Sequence, residues 1–305
     1  MMLPLTLAWL GCTASGAQNC CTPSCREATP RGAEVKQYDG YRLVWHDEFD
    51  TDGRPGEAWS YEHGFTRNEE LQWYQSDNAT VSGGCLVIEG RQEQVQNPAY
   101  EEGSPDWRMN RRYAQFTSSS LTTAKSFKFQ YGRVEVRAKI PVATGSWPAI
   151  WLLGDKWPWP NNGEIDVMEY YIKNGQPSIL ANACWGDTQP NVAVWNSAVI
   201  PFTHFTERDD NWADKFHVWR MDWDKTSIRL YLDGELLNDI RLSETVNRGC
   251  YGNTDNPFNV EGMKDYLLLN LALGGNGGTP DLQHFPLHYY VDYVRVYQPV
   301  GTSSR

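Results

Sequence analysis

Strand-sized runs broken by turns dominate this chain and leave little room for helices. "GRVEVRAKI" (Gly132–Ile140) and "YYVDYVRVYQ" (Tyr289–Gln298) alternate apolar and polar residues, the period of a strand with one buried face. "CLVIEGR" (Cys85–Arg91), "WPAIWLL" (Trp147–Leu153), "SIRLYLDGELL" (Ser227–Leu237) and "DYLLLNLAL" (Asp265–Leu273) are equally short. Asp233–Gly234 carries the two-residue hairpin signal. No stretch sustains a helical period, and no internal repeat stands out. The 305 residues are enough for one large core. Such a pattern predicts an all-β fold, a β-sandwich or jelly roll.

The ends read differently. "MMLPLTLAWLGCTASGAQNCC" has the form of a secretory leader, with an apolar run too short to span a membrane. "LGC" at Leu10–Cys12 resembles a bacterial lipoprotein box, so lipidation of Cys12 and ordinary cleavage are both open. Either way the protein is expected to be secreted or held at the cell surface. Residues 1–36 are then leader and linker, residues 37–299 the folded body and residues 300–305 a tail. The seven cysteines show no zinc-site spacing, and the sequence does not supply their pairing. A net charge of −11 without a basic stripe excludes nucleic acid and an anionic membrane surface as partners. No other stretch could form an integral membrane span.

"GEIDVMEYY" (Gly163–Tyr171) holds three acids among strand formers. In a regular strand Glu164 and Asp166 share a face, while Glu169, five positions on, points the other way. A β-bulge at Val167–Met168 would shift the phase by one and return Glu169 to the first face. Three carboxylates on one face repel, which raises at least one pKa. Glycoside hydrolysis needs such a divided pair, one ionised and one protonated. The spacing alone leaves a solvated edge strand open as the alternative. The 14 Trp, 16 Tyr and 10 Phe suit either a thick core or a surface that stacks on sugars.

The surrounding residues add a resemblance. "GSWPAIWLLGDKWPWPNNGEIDVMEYY" is similar to the active-site region of glycoside hydrolase family 16, in its laminarinase-like, bulged branch. "LVWHDEFD", "NEELQWY", "YGRVEVRAKIP", "LLLNLALGGN" and "YVDYVRVYQ" resemble the same family in the same order, from about Tyr41 to Gln298. The resemblance implies a β-jelly roll sandwich of two curved antiparallel sheets, concanavalin A-like, with an open substrate cleft, and endo-cleavage of a β-1,3- or mixed-linkage β-glucan, with retention. Glu164 would be the nucleophile, Glu169 the general acid and base, and Asp166 the partner between them. Agarase- or porphyranase-type galactan hydrolysis is the runner-up, and a lectin-like module that only binds glycan stays open. A polysaccharide would be the partner of a monomeric enzyme.

For substrate contact the resemblance points to Trp147 and Trp151, four apart on one strand, and to Asn68 and Trp185. Core packing or a plain turn role is the alternative for each. It implies no catalytic cofactor, but a structural calcium on the convex side, using Asp292, the carbonyl of Gly84 and the acid region near Glu48. Three positions depart from the family pattern. Ser120 stands where relatives often have Arg, Cys184 where they often have His, and Gly277 where many have Trp. Each removes a bulky or cationic wall, which points to a wider cleft or a different linkage preference.

Overall fold

The structure, a computed structural model, describes residues 35–301. The leader, most of the linker, Cys12 and most of the tail lie outside the described residues. Two antiparallel sheets face each other. The seven-stranded sheet runs, from edge to edge, Ala193–Pro201, Gln176–Gly186, Glu164–Lys173, Ser146–Gly154, Asp265–Leu273, Ser120–Thr122 and Ser60–Tyr61. The eight-stranded sheet runs Glu235–Arg241, Ser227–Leu232, His217–Trp223, Gly132–Lys139, Leu287–Pro299, Cys85–Gly90 and Ala79–Ser82. Tyr41–Asp47 adds to the remaining edge of Leu287–Pro299. This is the jelly roll that the short alternating runs predict.

The core lies between the sheets. Val134, Val136 and Ala138 point inward from the Gly132–Lys139 strand, while Arg133, Arg137 and Lys139 point out. From the opposite sheet Ile150, Leu152, Ile165, Leu267, Leu269 and Leu271 meet them, all with zero exposure. Each such aliphatic side chain contributes roughly 1.5–3 kcal/mol on full burial. The outward row of the Gly132–Lys139 strand is held by ion pairs. Arg133 binds both oxygens of Asp222 at 2.6 and 2.9 Å, and Arg137 binds Asp292 at 2.6 Å.

The run "NAT" at Asn78–Thr80 has the form of an N-glycosylation acceptor, but the Asn78 side chain is buried. Its amide donates to the carbonyl of Glu89 at 2.7 Å and to Thr117 at 2.9 Å, so it cannot carry a glycan in this fold. Cys85 is disulfide-bonded, whereas Cys184 and Cys250 are free and buried.

Candidate active site

The strand Glu164–Lys173 is not regular. Against one neighbour, Trp151 pairs with Asp166 and Ile150 with Met168, so Val167 has no opposite number. Against the other, Asp166 pairs with Asn182 and Glu169 with Leu180, so Val167 and Met168 together face Ala181. Two residues against one is a β-bulge. Ala149 and Trp151 share a face, as do Leu180 and Asn182, so their partners Glu169 and Asp166 share it too. Core packing drives this. Ile165, Val167, Met168 and Tyr170 all enter the core, two of them consecutive. Burying the adjacent Val167 and Met168 turns Glu164, Asp166 and Glu169 to the outer face together.

The entry to this strand is fixed as tightly. Gly163 has φ +78°, and a Cβ there would stand 2.8 Å from the Phe258 ring. Asn162 donates to the carbonyl of Gly154 and Asn161 to that of Cys250, each at 3.0 Å. The anchored loop brings Trp159, which is 37% exposed, over the first acid. Its Nε1 donates to Glu164 Oε2 at 2.8 Å.

Each acid has different partners. Trp147 Nε1 donates to Glu169 Oε1 at 2.9 Å, and Asn182 Nδ2 donates to Glu169 Oε2 at 3.0 Å. Asp166 lies between them, almost fully buried, and hydrogen-bonds Glu164. Removal from water raises all three carboxyls. It raises Glu164 least, because Trp159, Asp166 and the charge of Arg67 favour its ionised form. Asp166 is pushed well above the usual carboxylate range by burial and then by the charges of Glu169 and Glu164. Glu169 is pushed up to about 7, chiefly by burial, with Trp147 and Asn182 opposing. The three carboxyls are thus held apart by their surroundings, with burial favouring a proton on each and the partners of Glu164 and Glu169 opposing it.

Other predicted residues fall in different places. Trp147 and Trp151 share the outer face, as their spacing implies. The Trp151 ring is not free, however, since the Arg67 guanidinium lies 5.0 Å from its centroid. Asn68 is exposed in the adjoining loop and donates to Glu70 at 3.1 Å. Trp185 points the other way and packs in the core, 5% exposed. Its place beside the site is corrected by register. Glu164 pairs with Cys184 and Asp166 with Asn182, so Trp185 shares the inward phase of Ala181 and Ala183.

Register also brings Glu48, Gly84 and Asp292 near one point. Asp47 pairs with Val294 and Leu86 with Val291, so all three flank the place where the long last strand changes edge partner. The carboxylates of Glu48 and Asp292 do not fit a cation site. Arg295 holds both oxygens of Glu48 at 2.9 and 2.7 Å, and Arg137 holds Asp292. Among the described residues no group of three or more His, Cys, Asp or Glu side chains could hold a metal ion.

Several residues of the site were not singled out from sequence: Trp159, Asn182, Arg67 and Trp195. Asn182 had a slight signal: with Ser178 it is polar and shares the phase facing away from Ile179, Ala181 and Ala183 in "SILANAC". Trp195 had a weaker one, in the alternation of "AVWNSAVIP". It pairs with Cys184, so it stands on the acid-bearing face, 46% exposed. A hollow of about 600 Å³ lined by Lys225, Arg229 and Asp239 lies on the other sheet and contains none of these groups.

A jelly roll whose outer face gathers paired carboxylates and indole donors is a carbohydrate-active sandwich. The glycosyl hydrolases family 16 model matches residues 71–263, and the chain belongs to that family. A β-glucanase of Rhodothermus marinus is 33% identical over 276 residues, which cover 85% of each chain. A solved structure from work on endo-acting O-glycanases, which prominent members of the human gut microbiota express to initiate mucin breakdown, superposes with a TM-score of 0.74. It is 36% identical, over 86% of this chain and 92% of that one. The catalytic domain of an endo-1,3-β-glucanase (laminarinase) from Thermotoga petrophila RKU-1 gives a TM-score of 0.68 at 31% identity, over 86% and 99% of the two chains. Family and relatives make this chain a glycoside hydrolase.

Proposed function

We propose that this chain is a retaining, endo-acting β-glycosidase, with Glu164 as nucleophile and Glu169 as general acid and base. The observation that carries it is the bulge at Val167–Met168, which sets Glu169 beside Glu164 with its own hydrogen-bond partners. Glu164 attacks the anomeric carbon as Glu169 gives its proton to the leaving oxygen. A glycosyl ester on Glu164 results. Glu169, now a carboxylate, takes a proton from water, which displaces Glu164 with net retention. Asp166 donates to Glu164 and steadies its charge between the two steps. Endo-cleavage fits an acid row lying mid-sheet, with strands extending on either side for both ends of a polymer.

The substrate we favour is a β-1,3- or mixed β-1,3/1,4-glucan, supported by the β-glucanase and laminarinase relatives. A galactose-containing polymer or mucin-type O-glycan is the second reading. The O-glycanase likeness at 36% identity favours it, as do the small residues Ser120, Cys184 and Gly277. The short apolar leader supports export to the cell surface or medium.

The test is release of reducing sugar from laminarin, mixed-linkage glucan, agarose and mucin O-glycan, side by side, by wild type and Glu164→Gln. The variant should lose three orders of magnitude or more in kcat, on the order seen when a covalent nucleophile is removed, while still binding the same glycan. Binding by wild type without any release of sugar would replace the enzyme by a lectin.

A further inference from the structure

Asn68 and Glu69 both have left-handed backbones, with φ +55° and +52°. Asn tolerates this conformation, but Glu rarely adopts it. Two such residues in a row are strained, and they persist only where the surroundings hold them. The loop they form borders the site. From it, Arg67 lays its guanidinium over the Trp151 ring, 5.0 Å from the centroid. The Asn68 carbonyl lies 4.0 Å, and the Trp147 ring 3.3 Å, from the point where a Cβ on Gly275 would stand. Trp147 and Trp151 belong to the acid-bearing face, so this loop brings Asn68 to the edge of that face.

An arm of residues 97–114 holds the loop in place. Arg111 donates to the carbonyl of Glu70 at 2.6 Å and to that of Glu69 at 2.8 Å. Arg108 donates twice to the carbonyl of Thr66, at 3.2 and 3.0 Å. Among the described residues no backbone N–H reaches any of these three carbonyls. A planar guanidinium meets two carbonyls at once in a fixed fork, which an ammonium does not. The two arginines are themselves fixed. Both lie on the Trp107 ring, at 4.6 Å for Arg108 and 5.2 Å for Arg111, and Arg111 also lies on Phe65 at 5.0 Å. Asn97, 2% exposed, donates to the carbonyls of Arg108 and Arg111 at 2.8 and 2.9 Å. The arm is thus a rigid support, and its two bonds to Glu69 and Glu70 fall where the backbone is strained.

We propose that Arg111 is a positioning residue for glycan binding: from the arm it pins the left-handed Glu69 backbone and so holds Asn68 at the acid-bearing face. This rests on the glycosidase reading, and the test separates the two. KM and kcat are measured on the most active glycan of the panel for wild type, Arg111→Met, Arg111→Lys, Glu69→Gly and the Arg111→Met/Glu69→Gly double variant. Kd for the panel glycan bound most tightly is measured with Glu164→Gln added to each. Arg111→Met should raise KM and Kd about five- to tenfold, as for one well-placed hydrogen bond to the sugar, with kcat within about twofold. Glu69 is exposed, and glycine adopts its left-handed backbone without strain. Glu69→Gly alone should therefore stay near wild type, and in the double variant it should restore most of the lost affinity. A packing role would lower Tm with KM fixed, and glycine would restore nothing. Arg111→Lys should fall between wild type and Arg111→Met, since an ammonium lacks the fork. Should Arg111→Met fail to fold, judged by near-UV circular dichroism, Arg111→Lys with and without Glu69→Gly decides. Unchanged KM and Kd in folded Arg111 variants, or a loss that Glu69→Gly does not reduce, overturns the inference alone. Absence of hydrolysis by wild type overturns the glycosidase reading, and the Kd values still decide the role of Arg111.

Discussion

Trp147 and Trp159 divide the labour of the acid pair through single hydrogen bonds. Trp147 donates to Glu169 and favours its charged form, so it opposes the burial that lifts this carboxyl to about 7. Trp147→Phe removes the donor and keeps most of the ring. A lost hydrogen bond of about 0.5–1.5 kcal/mol corresponds to about half to one pH unit. The sign follows: Glu169 should hold its proton to higher pH, and the basic limb of kcat/KM should move upward from near 7. An unmoved limb in an active variant would show that this bond does not set the acid's strength. At the same scale, Gly163→Ala should be poorly tolerated. It combines φ +78° with a Cβ 2.8 Å from Phe258, and a fall in Tm of several degrees is expected.

The strand Glu164–Lys173 works as an element because its core face takes two consecutive apolar residues. Deleting Met168 should restore plain alternation with Glu169 four positions after Glu164, so the three acids stay on one face without the bulge and hydrolysis should survive in reduced form. A folded deletion variant with no hydrolysis at all would contradict this parity. This irregularity was legible from the five-residue offset of the acids together with the two apolar residues between them. The orientation of the neighbouring strand was harder to read. "ANACWG" gives only the slight parity of Asn182, and pairing with Glu164 and Asp166 is what shows that Asn182 and Cys184 face out and Trp185 in. Edge strand Ala193–Pro201 carries exposed Trp195 on the same face as the acids. Trp195→Ala is expected to weaken turnover of long chains by about five- to tenfold, mostly in KM, with short substrates little affected. Equal effects on both would remove Trp195 from substrate contact.

At the scale of the whole molecule, the alternating strands made the sandwich readable, because burial of one face leaves a period of two in sequence. Long-range charge pairing was not readable. Glu48 and Asp292 looked available for calcium, yet arginines 247 and 155 residues away in sequence hold them. Chelation is therefore expected to change Tm by less than about 2 °C; a larger loss, restored by added calcium, would reinstate a cation there. Asp265 is another buried acid, with zero exposure and no hydrogen-bond partner for either oxygen among the described residues. Burial pushes its carboxyl well above the usual range, with the charge of Asp155 adding to it. A raised acid binds protons more tightly when folded, so its contribution is full below the ordinary value near 4 and lost as pH rises through the raised one. Asp265→Asn should thus gain Tm relative to wild type as pH rises from about 4 to 8. A difference that stays constant with pH would mean that Asp265 is ionised and paired.

The claim that joins these scales is that Glu164 and Glu169, gathered on one face of the sheet, flank a single glycosidic bond, one attacking the anomeric carbon and the other protonating the leaving oxygen. Proton NMR of the first minutes of hydrolysis tests it most directly, on whichever β-linked glycan of the panel is cleaved. The account predicts that the new reducing end appears first as the β-anomer and drifts to the equilibrium mixture only later. An α-anomer formed first would mean inversion, and would contradict a nucleophilic Glu164.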